Sequence, residues 1–560
     1  MNIPFLKYTL LIGSFCLSAS AIAQDKKDES KPESPTGTLT EEIEIVRPYK
    51  PVLADAVKMR RNPDMTYNKP FMPVLTYSIL DKRLELNSNI KELQAQKMMD
   101  EQQAILKNNY VKVGAGNFNT ALGEVYLNTG QDEALQAGAF FKHLSQQGSL
   151  NMQQFSNQEL GAFGRSIGAQ NTLSGKIGYD RKSTFFYGYN PLLPPTPDAV
   201  PDKQRFSIIS AQGEVMNNYS ETSSLNYTAK VNAYQFSTVS DARESSIVLG
   251  GYFNKEFNLF NFGLNASADF TSTKDLDYNI SNNILRANPY VKFKGNGFLL
   301  NLGLNIVQEF GDKSRLNVLP AVSAEIPVAT DYAILFAGAS GDVLKTSLKD
   351  LMSENPYLNK NIAVKNSVEK MNIYGGVKGN AGAEFGYKVM AYYKTVDELM
   401  LFVNNPLEYN RFDAIYDNGK SNIFGLEGEI SVKASDIINI NGKAQVFNYD
   451  LASEKEAWFK PTLRLVSNAR AQLSQKLSLD AELLFQGETF AKTVNFTPLP
   501  EEHILKINSF VDLSAGAEYK VNNKIGVYLR ANNLFGTSYQ QYLYYSKLGL
   551  NMFGGFNYSF

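Results

Sequence analysis

Cysteine is almost missing from this chain. The single one, Cys16, sits inside an apolar N-terminal run, and once that run is removed on export no cysteine remains. Disulfides and thiol chemistry are thereby excluded. A lipid-modified cysteine needs a small residue before it, and Phe15 stands there instead. Histidine is nearly as scarce, with only His143 and His503, far apart in the sequence. A zinc site needs three or four N or S ligands, and a Ser-His-Asp set needs a placed histidine. Neither can be assembled, so no catalytic residue, metal or cofactor is expected, and the chain reads as a non-enzyme. An excess of one charge is missing too. Lys and Arg total 55 against 56 Asp and Glu, a net charge of −1 that gives no reason to expect nucleic acid. Beyond the N-terminal run no stretch reaches the roughly 20 apolar residues of a membrane helix.

What is present begins with an export signal. Lys7 precedes the apolar residues 8–17, and Ala21-Ile22-Ala23 follows. A charged start, an apolar core and an A-x-A site form the secretory pattern. Residues 1–23 are read as a signal peptide for the general secretory route, with Gln24 the mature start. Tyrosine (31), phenylalanine (35) and glycine (40) are abundant, yet the mean hydropathy is only −0.26. A membrane β-barrel combines these features, because lipid-facing and lumen-facing residues alternate and average out.

Residues 24–39 are charged and Pro/Ser-rich, the composition of a disordered linker. Residues 40–109 are read as a periplasmic extension. In it Glu42, Ile43, Glu44, Ile45 and Val46 can pair as a short strand, while Pro48, Pro51 and Pro63 prevent a long regular element. Leu84, Leu93, Met98 and Ile105 suggest a partly helical segment. From Tyr110 to Phe560 the texture is polar/apolar alternation in stretches of about ten residues, the signature of barrel strands.

The last strand is the clearest. Leu548, Leu550, Met552, Gly554, Phe556, Tyr558 and Phe560 share one face. Gly549, Asn551, Gly555, Asn557 and Ser559 share the other, with Phe553 the exception. Arg should therefore be costly at Leu550 or Met552 and mild at Asn551. The segments 298–306, 477–486 and 511–520 repeat the device, with charges too frequent for a sandwich interior. Short turns at 295–297 and 522–523 contrast with long polar stretches at 189–203, 346–368 and 493–503, the asymmetry of inner turns and outer loops. The expectation is an all-β fold: a transmembrane antiparallel barrel of about 22 strands over 110–560, with an N-terminal periplasmic extension.

Two motifs carry a family resemblance. Asn533-Leu534-Phe535-Gly536-Thr537-Ser538-Tyr539, near the end of the penultimate strand, resembles the "NLF-x-x-x-Y" of TonB-dependent outer-membrane receptors. Residues 422–430, NIFGLEGEI, resemble that family's "G-x-E" strand. The resemblance covers the barrel. It implies a Gram-negative outer-membrane location, a nutrient transport role, and a barrel-assembly signal at Phe556, Tyr558 and Phe560 read by the insertion machinery. TEEIEIVR, residues 40–47, resembles a TonB box, which pairs with TonB by strand addition. The departure is at the plug. Receptors of this width hold a folded plug, whereas residues 24–109 show no Gly-rich plug pattern.

Glu427 and Glu429 should point into the lumen. There they face Lys or Arg of neighbouring strands, or the extension through Lys58, Arg60 and Arg61. Tyr539, Tyr542, Tyr544 and Tyr545 read as an interfacial girdle, with a carbohydrate platform as the sharper alternative. Three functions stay open: nutrient transport, with the lumen closed by the extension or a partner; a scaffold subunit of an outer-membrane complex; an open porin. The expected partners are outer-membrane lipid, the insertion machinery, and a periplasmic or outer-membrane protein.

Overall fold

The computed structural model describes residues 109–129, 134–189, 202–218, 225–257, 259–295, 297–329, 332–382, 384–495 and 501–560. The expected signal peptide and linker, and the expected extension up to residue 108, with residues 42–46, Lys58, Arg60 and Arg61, lie outside the described residues.

Strict alternation gives each strand one apolar and one polar face, and a closed sheet is the only way to satisfy both in a membrane. Twenty-two antiparallel strands hydrogen-bond in chain order, from Tyr110–Gly116 to Asn551–Ser559. The last strand pairs with the first, from Tyr110 opposite Ser559 to Gly116 opposite Phe553. Asn109 and Phe560 exchange backbone hydrogen bonds at 3.1 Å, which continues the seam. No barrel edge is left unpaired. The protein is a transmembrane β-barrel of the outer-membrane kind.

The outward faces carry the apolar side chains. Ile177 is 62% exposed, and Ile209, Leu249, Leu302, Val318 and Met552 are also exposed. Phe553 takes the inward position that alternation requires. It is buried there against Leu122, Leu144 and Tyr528. On the neighbouring strand Gly114 leaves room for the Tyr528 ring. A Cβ on Gly114 would lie 2.0 Å from the Tyr528 hydroxyl, which donates to the Val113 carbonyl at 3.1 Å.

Asn551 differs from expectation. It is on the inner face, but it is buried, and its amide donates toward Asn117 Oδ1 and Thr120 Oγ1, both at 3.4 Å. An arginine would have to displace these neighbours, so this is not the hydrated lumen position that alternation alone suggests. Ile177 and Lys176 make the better pair. Ile177→Arg is expected to cost about 2–4 kcal/mol if it lies near the midplane, while Lys176→Gln, on the lumen face, should cost far less. Folding titrations in lipid vesicles check this, and a negligible cost for Ile177→Arg would mean that the faces are swapped.

The two ends of the barrel differ. One carries short turns, such as 168–170, 436–437 and 521–524. The other carries the segments 345–366, 398–419, 451–462, 487–509 and 533–550. Long loops mark the outer end. They contain a helix, Leu348–Glu354, and three two-stranded ribbons: Met400–Asn404 with Phe412–Tyr416, Thr489–Asn495 with Glu501–Ile507, and Gln540–Tyr542 with Tyr545–Ser546.

Candidate functional site

The lumen wall is polar and internally paired. Lys443 Nζ lies 3.0 Å from Glu427 and 2.8 Å from Glu429, and Gln445 donates to Glu427 at 2.8 Å. Both glutamates thus have basic or amide partners on the next strand. Arg530 bridges Asp480 and Glu482 at 2.5 and 3.0 Å. Lys142 pairs with Glu159 at 2.9 Å and Lys378 with Glu325 at 2.8 Å. Alternation places these side chains inward, and cross-strand pairing of opposite charges then stabilises the ladder.

The outer mouth holds the feature that the sequence did not show. Tyr187 follows the fifth barrel strand, Tyr357 the thirteenth and Tyr545 the twenty-first. These roots are eight, eight and six strands apart around the ring. Even so, the three rings meet, with centroids 5.9 Å (187 to 357), 5.0 Å (187 to 545) and 3.5 Å (357 to 545) apart. Loops rooted on three sides can meet only by reaching over the lumen. Around them Phe186, Phe236, Leu348, Leu351, Met352, Phe402, Phe412 and Tyr542 form one buried apolar cluster. The outer loops therefore fold into a lid with its own core.

Hydrogen bonds fix the lid from segment to segment. Tyr187 Oη donates to Ser546 O at 3.0 Å, Tyr542 Oη to Glu354 O at 2.9 Å and Tyr545 Oη to Asn410 O at 2.5 Å. Asn410 Nδ2 in turn donates to Phe186 O at 3.0 Å. The Arg411 guanidinium lies 4.3 Å from the centre of the Phe186 ring and pairs with Asp202 at 2.5 Å. Burial pushes the Tyr545 phenol well above its ordinary range. It also pushes the Lys547 ammonium down to about 8. Both mark an environment poor in water.

The tyrosines of 539–545 are thus lid residues and not a lipid girdle. Tyr542 and Tyr545 are buried in the lid core. Tyr539 stacks on Phe510 at 3.9 Å and donates to Asp512 at 2.6 Å. The motif that begins at Asn533 is the corner that launches this loop. The penultimate strand ends at Asn532, Asn533 has a φ of 49°, and its amide donates to Thr537 O and Leu548 O.

Asp417 staples two lid segments. The hydroxyls of Ser421 and Ser453 and the N–H groups of Ala452, Ser453 and Glu454 all donate to its carboxylate, at 2.6–3.0 Å. Burial alone would raise its pKa, but these donors outweigh it and hold the group at about 2. An unfolded aspartate titrates near 3.9, so the folded value is depressed by about 2 units. Its contribution is fully present above about pH 4 and is lost as pH falls through about 2, about 2.6 kcal/mol in all. Trp458 reports on this region, because it is the only tryptophan, is buried, and donates to Glu454 at 2.8 Å. Its emission should shift as pH falls from 5 to 2. In Asp417→Asn the lid should be weakened already at neutral pH and the acid shift reduced. An identical acid titration in both proteins would remove Asp417 as the cause.

No family model matches the sequence, and no curated protein does either. Solved structures do match in fold. The FrpB iron transporter from Neisseria meningitidis aligns with a TM-score of 0.64 at 11% identity, over 81% of this chain and 82% of that one. The siderophore receptor PirA from Acinetobacter baumannii gives 0.60 at 11%, over 82% and 81%. The ferripyoverdine receptor of the outer membrane of Pseudomonas aeruginosa gives 0.59 at 13%, over 82% and 72%. At these identities the likeness is one of architecture.

Proposed function

We propose that this chain is a transport barrel of the TonB-dependent receptor type, moving a nutrient across the outer membrane. The observation that carries the reading is the closed 22-stranded barrel, which is similar in fold to iron and siderophore receptors; its lumen wall is charged and paired. In this reading the lid covers the outer mouth, and residues 24–109 or a partner protein occupy the inner side. Glu42 to Val46 supply the strand for TonB, while Lys58, Arg60 and Arg61 meet acidic wall residues such as Glu427 and Glu429. Phe556, Tyr558 and Phe560 are outward and exposed at the closing strand, where the insertion machinery reads them.

A mature chain without cysteine allows a clean test. A single cysteine placed at Ile43 or Ile45 should form a disulfide with TonB carrying a matching cysteine in its pairing strand. The native complex, purified from its own membrane, should contain the barrel with a bound solute. A second reading, a scaffold subunit, is favoured by the stapling of the lid through Asp417, because a fixed cover suits a barrel that passes nothing. A stable set of co-purifying proteins, with no bound solute and no TonB cross-link, would establish the scaffold and overturn transport.

A further inference from the structure

One sector of the outer wall has a feature that neither transport nor scaffolding uses. It spans five consecutive strands: Asn171–Phe185, Lys203–Asn217, Asn226–Thr238, Arg243–Phe257 and Phe260–Lys274. The carboxylates on these strands are Asp180, Glu214, Glu244, Glu256 and Asp269. Alternation and register put all of them on the lumen face, with Asp180 opposite Ile208, Glu214 opposite Lys230, and Glu256 opposite Asn261. The lipid face of the sector is therefore free of negative charge.

Cations are present on that face, and they gather at one height. Below them lies an apolar band that includes Leu173, Ile177, Ile209, Val231, Ile247, Leu249 and Phe270, all exposed outward. Above the last apolar residue of each strand stand Arg181, Arg205, Arg243 and Lys274. On the first strand Arg181 follows Tyr179. On the others one serine intervenes: Ser207 before Arg205, Ser245 before Arg243, and Ser272 before Lys274. Lys203 adds a fifth cation further up. The one other outward lysine, Lys255, is at the opposite end of its strand.

Arg181, Ser207, Ser237, Arg243 and Lys274 form one continuous cross-strand row. Arg243 and Lys274 are direct cross-strand partners. Like charges so placed repel and destabilise a sheet. None of Arg181, Arg205, Arg243 or Lys274 has an ion pair among the described residues, and Asp241, in the turn above Arg243, has none either. Across the barrel the corresponding positions read Thr395, Asn422 and Asp450, also in register. The basic row is absent at those positions.

A row of this kind just above an apolar band meets the headgroups of the outer leaflet. In a Gram-negative outer membrane these headgroups are phosphorylated glycolipids. Guanidinium groups match phosphate oxygens in bidentate geometry, and clustered basic residues at a membrane surface recognise anionic headgroups. We propose that this sector binds the phosphates of an outer-leaflet glycolipid through Arg181, Arg205, Arg243 and Lys274. A bound phosphate also relieves the repulsion between Arg243 and Lys274.

The test uses the full mature protein in detergent, with bisphosphorylated lipid A or its dephosphorylated form as the probe, and bound lipid read by native mass spectrometry. The wild type should retain the bisphosphorylated form at least about tenfold better, because each basic residue at the surface contributes about 1 kcal/mol toward an anionic headgroup. The variant Arg181→Gln/Arg205→Gln/Arg243→Gln/Lys274→Gln should lose that preference while keeping heat-modifiable migration. If that variant does not fold, Arg243→Gln/Lys274→Gln, which removes only the repelling pair, should lower the preference. Equal retention of the two lipids by the wild type, or an unchanged preference in a folded variant, overturns the proposal. So does displacement of the lipid by inorganic phosphate at an equal phosphate concentration, because the site would then hold a free anion and not a headgroup.

Discussion

Replacing residues 399–418 with a short Gly/Ser linker is expected to turn a poorly conducting barrel into one that opens in large steps. A barrel of 22 strands encloses a lumen too wide to be filled by its own wall side chains. Among the described residues, the outer loops are what crosses it, and they meet at Tyr187, Tyr357 and Tyr545. The deletion removes Phe402 and Phe412 from the lid core. It also removes the carbonyl that Tyr545 bonds and the Arg411 that rests on Phe186. Loss of a buried aromatic costs about 3–5 kcal/mol, so the rest of the lid should not hold without two of them. Single-channel recordings in planar bilayers check this with and without residues 24–109. If the lid alone seals the barrel, truncating 24–109 leaves it closed and the lid deletion opens it. If the lid deletion opens only the truncated protein, the extension is a second stopper on the inner side. Opening by the truncation alone would show that the lid is no seal.

Strands were legible in the sequence because their signal is local. A period of two exposes both faces of a strand, and that was enough for about 22 antiparallel strands, the closing strand and the inward Phe553. The lid left no such trace. Tyr187, Tyr357 and Tyr545 are separated by well over a hundred residues, and their loops have no period. A tyrosine cluster after a strand looks the same whether the rings face lipid or one another, and so residues 539–545 suggested a girdle. Asp417 sits in Tyr-Asp-Asn-Gly, where an aspartate is an ordinary turn residue. Its donors at Ala452, Ser453 and Glu454 lie on another loop. Asn551 has the right parity for the lumen, but parity does not say that Asn117 and Thr120 lie over it. Alternation assigns a face, and only the tertiary structure shows whether that face is wet.

The helix of the lid depends on one wall residue, and Glu244→Ala should release it. A helix as short as Leu348–Glu354 does not hold by itself in water. It is capped by Ser347, whose hydroxyl accepts from Asp350 N at 3.0 Å. Leu348, Leu351 and Met352 bury its inner side. Its first two amides, however, point at the barrel wall. Leu348 N and Lys349 N donate to the Glu244 carboxylate at 2.8 and 3.2 Å, and Thr273 Oγ1 and Tyr234 Oη add bonds of 2.7 and 2.8 Å. Glu244 is 0% exposed, so water cannot replace it for these donors. Negative charge is also favoured at a helix N-terminus. Each buried donor left without a partner costs about 1–3 kcal/mol, and two amides and two hydroxyls lose theirs together. The net loss is expected at about 3–5 kcal/mol, comparable with breaking a buried charged pair. Glu244→Gln keeps one carbonyl acceptor and should lose less. Trypsin cleavage after Lys349 and Lys360 measures the release, with the order Glu244→Ala, then Glu244→Gln, then wild type. Equal cleavage of all three would mean that the apolar face of the helix holds it without the anchor.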